Sequence, residues 1–158
     1  MATLVPEPVV RVKQALAALG AEDTVTVFGS KVPTAAAAAA ALGCDVAAIT
    51  NSLVFDVGGV PLLILASGAA RVDVRKVADR LGTGQIRRAS PGFVLEHTGQ
   101  EVGGVAPVGH PEKIRTLLDA DLAAHDVLWA GAGDHHSMFS ISYEELLRIT
   151  NAEELQVR

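Results

Sequence analysis

The stretch GGVAPVGHP, running from Gly103 to Pro111, holds the residue types that most need a chemical explanation. Gly103, Gly104 and Gly109 weaken any regular element, and Pro107 and Pro111 remove backbone donors, so neither a helix nor a central strand runs through it. His110 adds a titratable ring. Two roles fit such a segment. It either connects elements, or it is a shaped loop that brings backbone N–H groups up to a ligand.

Side-chain chemistry elsewhere is sparse. The pair His135-His136 invites a metal, but neighbouring side chains on an extended segment point to opposite faces, and no H-x-x-x-H or C-x-x-C spacing supports a shared ion. A polar loop role at the edge of a pocket fits them better. No G-x-S-x-G elbow is present, and GVAPVGHP lacks the lysine and following helix of a phosphate-binding P-loop. Cys44 is the only cysteine, which excludes an intrachain disulfide and a zinc knuckle. With no histidine partner near it in sequence, it reads as a small buried hydrophobe.

Charge is uneven. The net charge of -5 argues against a generic nucleic-acid binder. Yet Arg71, Arg75, Lys76, Arg80, Arg87 and Arg88 stand against only Asp73 and Asp79, while the C-terminal third is acidic. That cluster is either a solvated helix face or a docking patch for a polyanion.

These residues need elements to position them. At 158 residues, 49% hydrophobic and 20% charged, the chain suffices for one globular domain, expected over residues 1–158 with no internal linker. Aromatics at 4% leave the core to Val, Leu, Ile and Ala, and leave little for stacking bases. EPVVRVKQALAALG predicts a helix with Val9, Val12, Leu16 and Leu19 inward and Gly20 as its stop. TVTVF (24–28) alternates like a strand, and the alanine run predicts a tightly packed helix from Pro33 or Thr34 to Leu42. Two β-rich runs, 48–57 and 60–66, flank Gly58-Gly59 and predict a hairpin. An amphipathic helix follows, with Val74, Val77, Ala78 and Leu81 inward and its arginines outward. A short strand near 86–88 and a helix from about Ser90 to His97 come next. IRTLLDADL and DVLWAGAG read as strands or strand-helix pieces, and SMFSIS as a strand. SYEELLRIT reads as a helix with a Ser142/Glu145 capping box, and ELQV as an edge strand. The pattern predicts an α+β fold: a mixed, mostly antiparallel sheet or barrel flanked by helices. MATLVPEPVV lacks the charge and apolar pattern of a signal peptide, and the alanine run is too short to span a bilayer, so no membrane association and a cytoplasmic location are expected.

Three stretches in order, ITNSLVFDVGGVPLLILASG, GGVAPVGHP and VLWAGAGDHHSMFSISYEEL, resemble the YbaK/prolyl-tRNA-synthetase-associated domain family of trans-editing aminoacyl-tRNA deacylases. The resemblance runs from the first helix to about Leu155. It implies a hydrolase that cleaves the ester of a mischarged tRNA, often tRNA-Pro, with no cofactor or metal. The implied partners are the 3′ end of an aminoacyl-tRNA and prolyl-tRNA synthetase. The family's G-x-x-x-P loop falls on Gly103 to Pro107, whose backbone N–H groups would hold the substrate carbonyl or the attacking water. Gly103, Gly104 and Asn51 are then the expected catalytic positions. Ser52, Ser67, Pro107 and Gly109 are expected to bind substrate, together with His110, His135 and His136. Arg71, Arg75, Lys76 and Arg80 are expected to meet the tRNA backbone.

The sequence departs from the family at one point. The residue before SLVF is typically a lysine needed for activity, and here it is Asn51. An amide donates and accepts neutral hydrogen bonds but supplies no charge. Three readings stand open. Asn51 orients water or a ribose hydroxyl while Lys31 or Arg71 supplies the cation. Or the chain binds aminoacylated ends without hydrolysing them. Or the position carries a deliberate replacement.

Overall fold

In the computed structural model, which describes residues 6–32 and 34–158, the Gly58-Gly59 hairpin sits at the centre of one sheet. Strands β2 (Ile49–Val57) and β3 (Val60–Ser67) pair antiparallel from Thr50↔Ser67 to Val57↔Val60. Both turn glycines have positive φ, 60° and 90°, and Asp56 Oδ1 accepts the Gly59 N–H at 2.6 Å. This is the turn geometry whose twist matches that of the strands.

The sheet grows outward from this hairpin on both sides. Beyond β3 lies β5 (Arg115–Asp119), and beyond it β8 (Glu153–Leu155), each pairing parallel with its inner neighbour. Beyond β2 lies β6 (Leu128–Gly131), parallel to it, followed by β7 (Ser137–Ile141) and β1 (Thr26–Val27), each antiparallel to the strand before. A two-residue strand, β4 (Arg87–Arg88), pairs antiparallel with Phe55 and Asp56. The eight-stranded order is therefore β1-β7-β6-β2-β3-β5-β8, with β4 branching from β2. Antiparallel ladders predominate, as the sequence pattern predicts. The expected strand at 24–28 shrinks to an exposed edge pair, Thr26 and Val27.

Among the described residues, five helices cover the sheet. α1 (Glu7–Ala18) buries Val9, Val12 and Leu16, but Leu19 lies past its end and is 37% exposed, not inward as its spacing predicts. α2 (Ala35–Leu42) is the alanine helix, with Thr34 accepting the Ala37 N–H as its N-cap. Its small side chains allow close approach. A Cβ on Gly68, just beyond β3, would stand 2.9 Å from the Cβ of Ala35 and 2.6 Å from the carbonyl of Val46. α3 (Val74–Leu81) and α4 (Pro91–Thr98) begin on Asp73 and Ser90, whose side chains accept the N–H groups of Lys76 and Phe93. α5 (Tyr143–Thr150) begins on Ser142, which accepts the Glu145 N–H. The return half of that expected capping box is missing, because the Glu145 carboxylate binds the Arg148 guanidinium instead.

α1, α4 and α5 share one core with Leu63, Leu65 and Leu118. The opposite face packs Ile64, Ala66 and Leu117 against Val77 of α3. A third, smaller cluster joins α2 to Ile49 and Met138. None of the described helices is long and apolar enough to cross a membrane.

Candidate functional site

The outer edge of β2 is paired only at its two ends. β6 leaves it after Thr50, and β4 joins it only at Phe55, so residues 51–54 face no strand on that side. A cavity of about 670 Å³ opens there. Asn51 and Ser52 line it from the strand, Gly103 and Val105 from the glycine-rich loop, and Asp134 and Ser137 from the approach to β7. Arg71 and Arg88 complete its rim; both side chains are exposed, and neither belongs to an ion pair among the described residues.

The loop carrying Gly103 is held from inside. Gln100, 1% exposed, accepts the Ala106 N–H through Oε1 at 2.6 Å and donates through Nε2 to the Val108 carbonyl at 3.4 Å. His110 Nε2 lies 2.8 Å from the Ala106 carbonyl. Burial pushes the pKa of His110 down, against the opposing pull of that carbonyl. Gly109 rests on α1, where a Cβ would meet the Val12 backbone at 3.2 Å.

Gly103 and Gly104 part ways in this arrangement. Gly103 is exposed at φ +89°, and among the described residues no backbone acceptor takes its N–H. Gly104 is buried, its N–H is bonded to the Glu101 carbonyl, and it does not line the cavity. It is a spacer: a Cβ there would stand 2.8 Å from the Cα of Asp134.

The neighbouring loop, Gly131 to His136, supports the first one. Gly133 donates to the Gly104 carbonyl, and His135 Nε2 lies 2.9 Å from the Val102 carbonyl. The carbonyls of His135 and His136 accept the N–H groups of Val32 and Phe28. Both histidines thus tie loops together, and neither lines the cavity. Among the described residues, no three His, Cys, Asp or Glu side chains are grouped to hold a metal ion.

Of the remaining expected positions, Ser52 is on the wall, whereas Pro107, Gly109 and His110 stand behind it. Ser67 is 2% exposed; its hydroxyl donates to the Ala47 carbonyl and its N–H donates to buried Asp119. The basic stretch divides similarly. Lys76 Nζ donates to the Arg158 carbonyl at 2.6 Å, while Arg75 and Arg80 stay exposed without ion pairs among the described residues. Cys44 is half-buried beside α2, and burial raises its pKa, with the Asp45 carboxylate adding to the rise.

Gln100, Arg88, Asp134, Thr50 and Ser137 escape sequence reasoning. Arg88 carried a signal as a member of the basic stretch, and Thr50, Asp134 and Ser137 lie inside the stretches that resemble the family, but none of the five was singled out as a site residue.

Comparison with known proteins places this geometry. The aminoacyl-tRNA editing domain pattern matches residues 30–149, which spans every cavity-lining residue named above. The chain belongs to the aminoacyl-tRNA editing domain family. An uncharacterised Bacillus subtilis protein, YwhH, is 33% identical to this editing domain over 126 residues, covering 79% of the chain and 80% of the relative. The crystal structure of a candidate trans-editing enzyme for prolyl tRNA synthetase superposes with a TM-score of 0.92 at 34% identity, covering 98% of this chain and 99% of that one. The proline–tRNA ligase of Lysinibacillus sphaericus is 32% identical over 71 residues, which is 45% of the editing domain and 12% of the ligase.

Proposed function

We propose that this editing domain is an aminoacyl-tRNA deacylase acting in trans, which hydrolyses the ester of a mischarged tRNA, tRNA-Pro bearing a small amino acid. The supporting observation is that Asn51 borders one cavity with Gly103, whose N–H has no acceptor among the described residues. Its volume of about 670 Å³ suits a terminal nucleoside with its acyl group. The likeness to a trans-editing candidate and to part of a proline–tRNA ligase supports the choice of tRNA.

In this reading a water oxygen attacks the ester carbonyl carbon. Negative charge moves to the carbonyl oxygen, and the Gly103 N–H meets it. A donor aimed at developing charge is worth about 3–4 kcal/mol in hydrolases, so no side-chain nucleophile is required. Asn51 orients the water or the ribose hydroxyl. The C–O bond to the ribose breaks, the ribose oxygen takes a proton, and free amino acid and tRNA leave. Asp134 Oδ1 is committed to the His136 N–H, which leaves Oδ2 to accept from the α-ammonium. Arg71 and Arg88 face the phosphate of the terminal nucleotide, and Arg75 and Arg80 extend the positive surface along α3.

One observation favours a second reading. The strand position that would work with Gly103 is the neutral Asn51, so a module that binds aminoacylated ends without cleaving them has the same cavity and lacks only a cation at that strand position. Deacylation of a panel of labelled aminoacyl-tRNAs by the parent chain and by Asn51→Lys separates the two. Hydrolysis by the parent above background supports the deacylase. Hydrolysis by the lysine variant alone supports the binding module.

A further inference from the structure

We infer that the acyl group accepted by this cavity carries a hydroxyl, as in serine or threonine, and that Thr50, Ser52 and Ser137 select it. The inference rests on the proposed binding of an aminoacylated 3′ end, and it narrows the substrate from small to small and polar.

Among the described residues three buried side-chain polar atoms have no protein partner: Thr50 Oγ1, Ser52 Oγ and Ser137 Oγ. All three residues line the same cavity. Thr50 is 2% exposed and Ser137 is 1% exposed. Buried hydroxyls elsewhere are satisfied. Thr98 donates to the Val94 carbonyl, Thr116 to that of Ile114, Thr150 to that of Leu146 and Ser67 to that of Ala47. Among the described residues, buried hydroxyls are thus bonded where only structure is at stake and left unmet along this cavity.

An unmet buried hydroxyl is costly, and valine or alanine would fill the same space without that cost. Each hydroxyl offers one donor and two acceptor sites, which is also what a substrate hydroxyl offers. Thr50 and Ser52 alternate along β2, so their side chains stand on one face of the strand. Val54, Val94 and Val105 make the wall on that face apolar, while Ala38, Ile49 and Met138 line the cavity from the opposite face. An alanyl or valyl group would leave the three hydroxyls unpaired in that setting, and a seryl or threonyl group would not. A site built to bond a substrate hydroxyl discriminates against the analogue lacking it more strongly than an apolar pocket discriminates by size.

The test uses hydrolysis-resistant 3′-amide analogues of aminoacyl-adenosine in matched pairs: seryl against alanyl, and threonyl against valyl, which is nearly isosteric. Calorimetric titration of the full chain is expected to give the hydroxyl-bearing member of each pair about tenfold or more higher affinity. Thr50→Val, Ser52→Ala and Ser137→Ala are each expected to pull the paired ratio towards one, with folding checked by circular dichroism. If one variant fails to fold, the parent ratios and the other two variants still decide. Equal affinity within both pairs overturns the selectivity while leaving recognition of the aminoacylated end intact. Absence of binding by all four analogues removes that recognition and the selectivity together.

Discussion

Gln100 holds the backbone of Ala106 at 2.6 Å through its side-chain oxygen, and the same amide reaches the Val108 carbonyl. One buried side chain thus fixes both sides of the turn behind Gly103. Replacing Gln100 with alanine leaves a buried donor and a buried acceptor unmet, at about 1–3 kcal/mol each. We expect Gln100→Ala to cost about 2–4 kcal/mol, read as a lower midpoint in urea at unchanged slope. A loss below about 0.5 kcal/mol contradicts the clamp.

Gly103→Ala attacks the wall itself. The position sits at φ +89°, and an added Cβ would stand 3.3 Å from His135 Nε2. Left-handed backbone costs an L-residue about 1–2 kcal/mol, so the melting temperature should fall modestly. Relaxation of the strain would turn the N–H off its target. Deacylation should then fall by about a hundredfold or more. A variant that melts lower yet hydrolyses at the parental rate would mean the Gly103 amide is not the donor.

The pH dependence of stability should carry the mark of His110. Burial favours its neutral form in the folded chain, so its pKa lies below the ordinary 6.5. A base with a lowered folded value contributes stability in full above its unfolded value, and loses it as pH falls through the folded one. Urea unfolding between about pH 7.5 and pH 5 should therefore show stability declining on the acid side, with a shallower decline in His110→Gln. Parallel profiles for the two proteins would assign the decline to other groups.

Arg75 and Arg80 test the tRNA surface. Both are exposed on the polar side of α3, away from Val77 and the core. The double alanine variant should keep the parental melting temperature and bind tRNA more weakly. Each phosphate left without its arginine should flatten the plot of log affinity against log salt by about 0.7–0.9. An unaltered salt slope would place the tRNA backbone elsewhere.

The fold was largely legible because its signals are local. Gly58-Gly59 between two β-rich runs names the hairpin, and Thr34, Ser90 and Ser142 name three helix starts one residue ahead. What failed locally was overruled by packing. TVTVF has a strand's alternation, but only Thr26 and Val27 find a partner, at the outer edge of β7. Leu19 has the right spacing, but α1 has already ended. The site was less legible because its wall is assembled across the sheet. Gly103 stood out by its glycine- and proline-rich loop and Asn51 entered through a resemblance, whereas Asp134 and Ser137 matter only because β7 and its approach close the fissure beside β2. Gln100 looks like any polar residue after a helix until its amide is seen inside the loop.

The interrupted outer edge of β2 has a consequence for measurement. Amides of residues 51–54 that point away from β3 lack a strand partner, so they trade hydrogen for deuterium whenever solvent fills the fissure. Their neighbours, locked into the β3 ladder, trade slowly in all states. A ligand lying against that edge slows the first set and spares the second, which makes the strand its own gauge of occupancy.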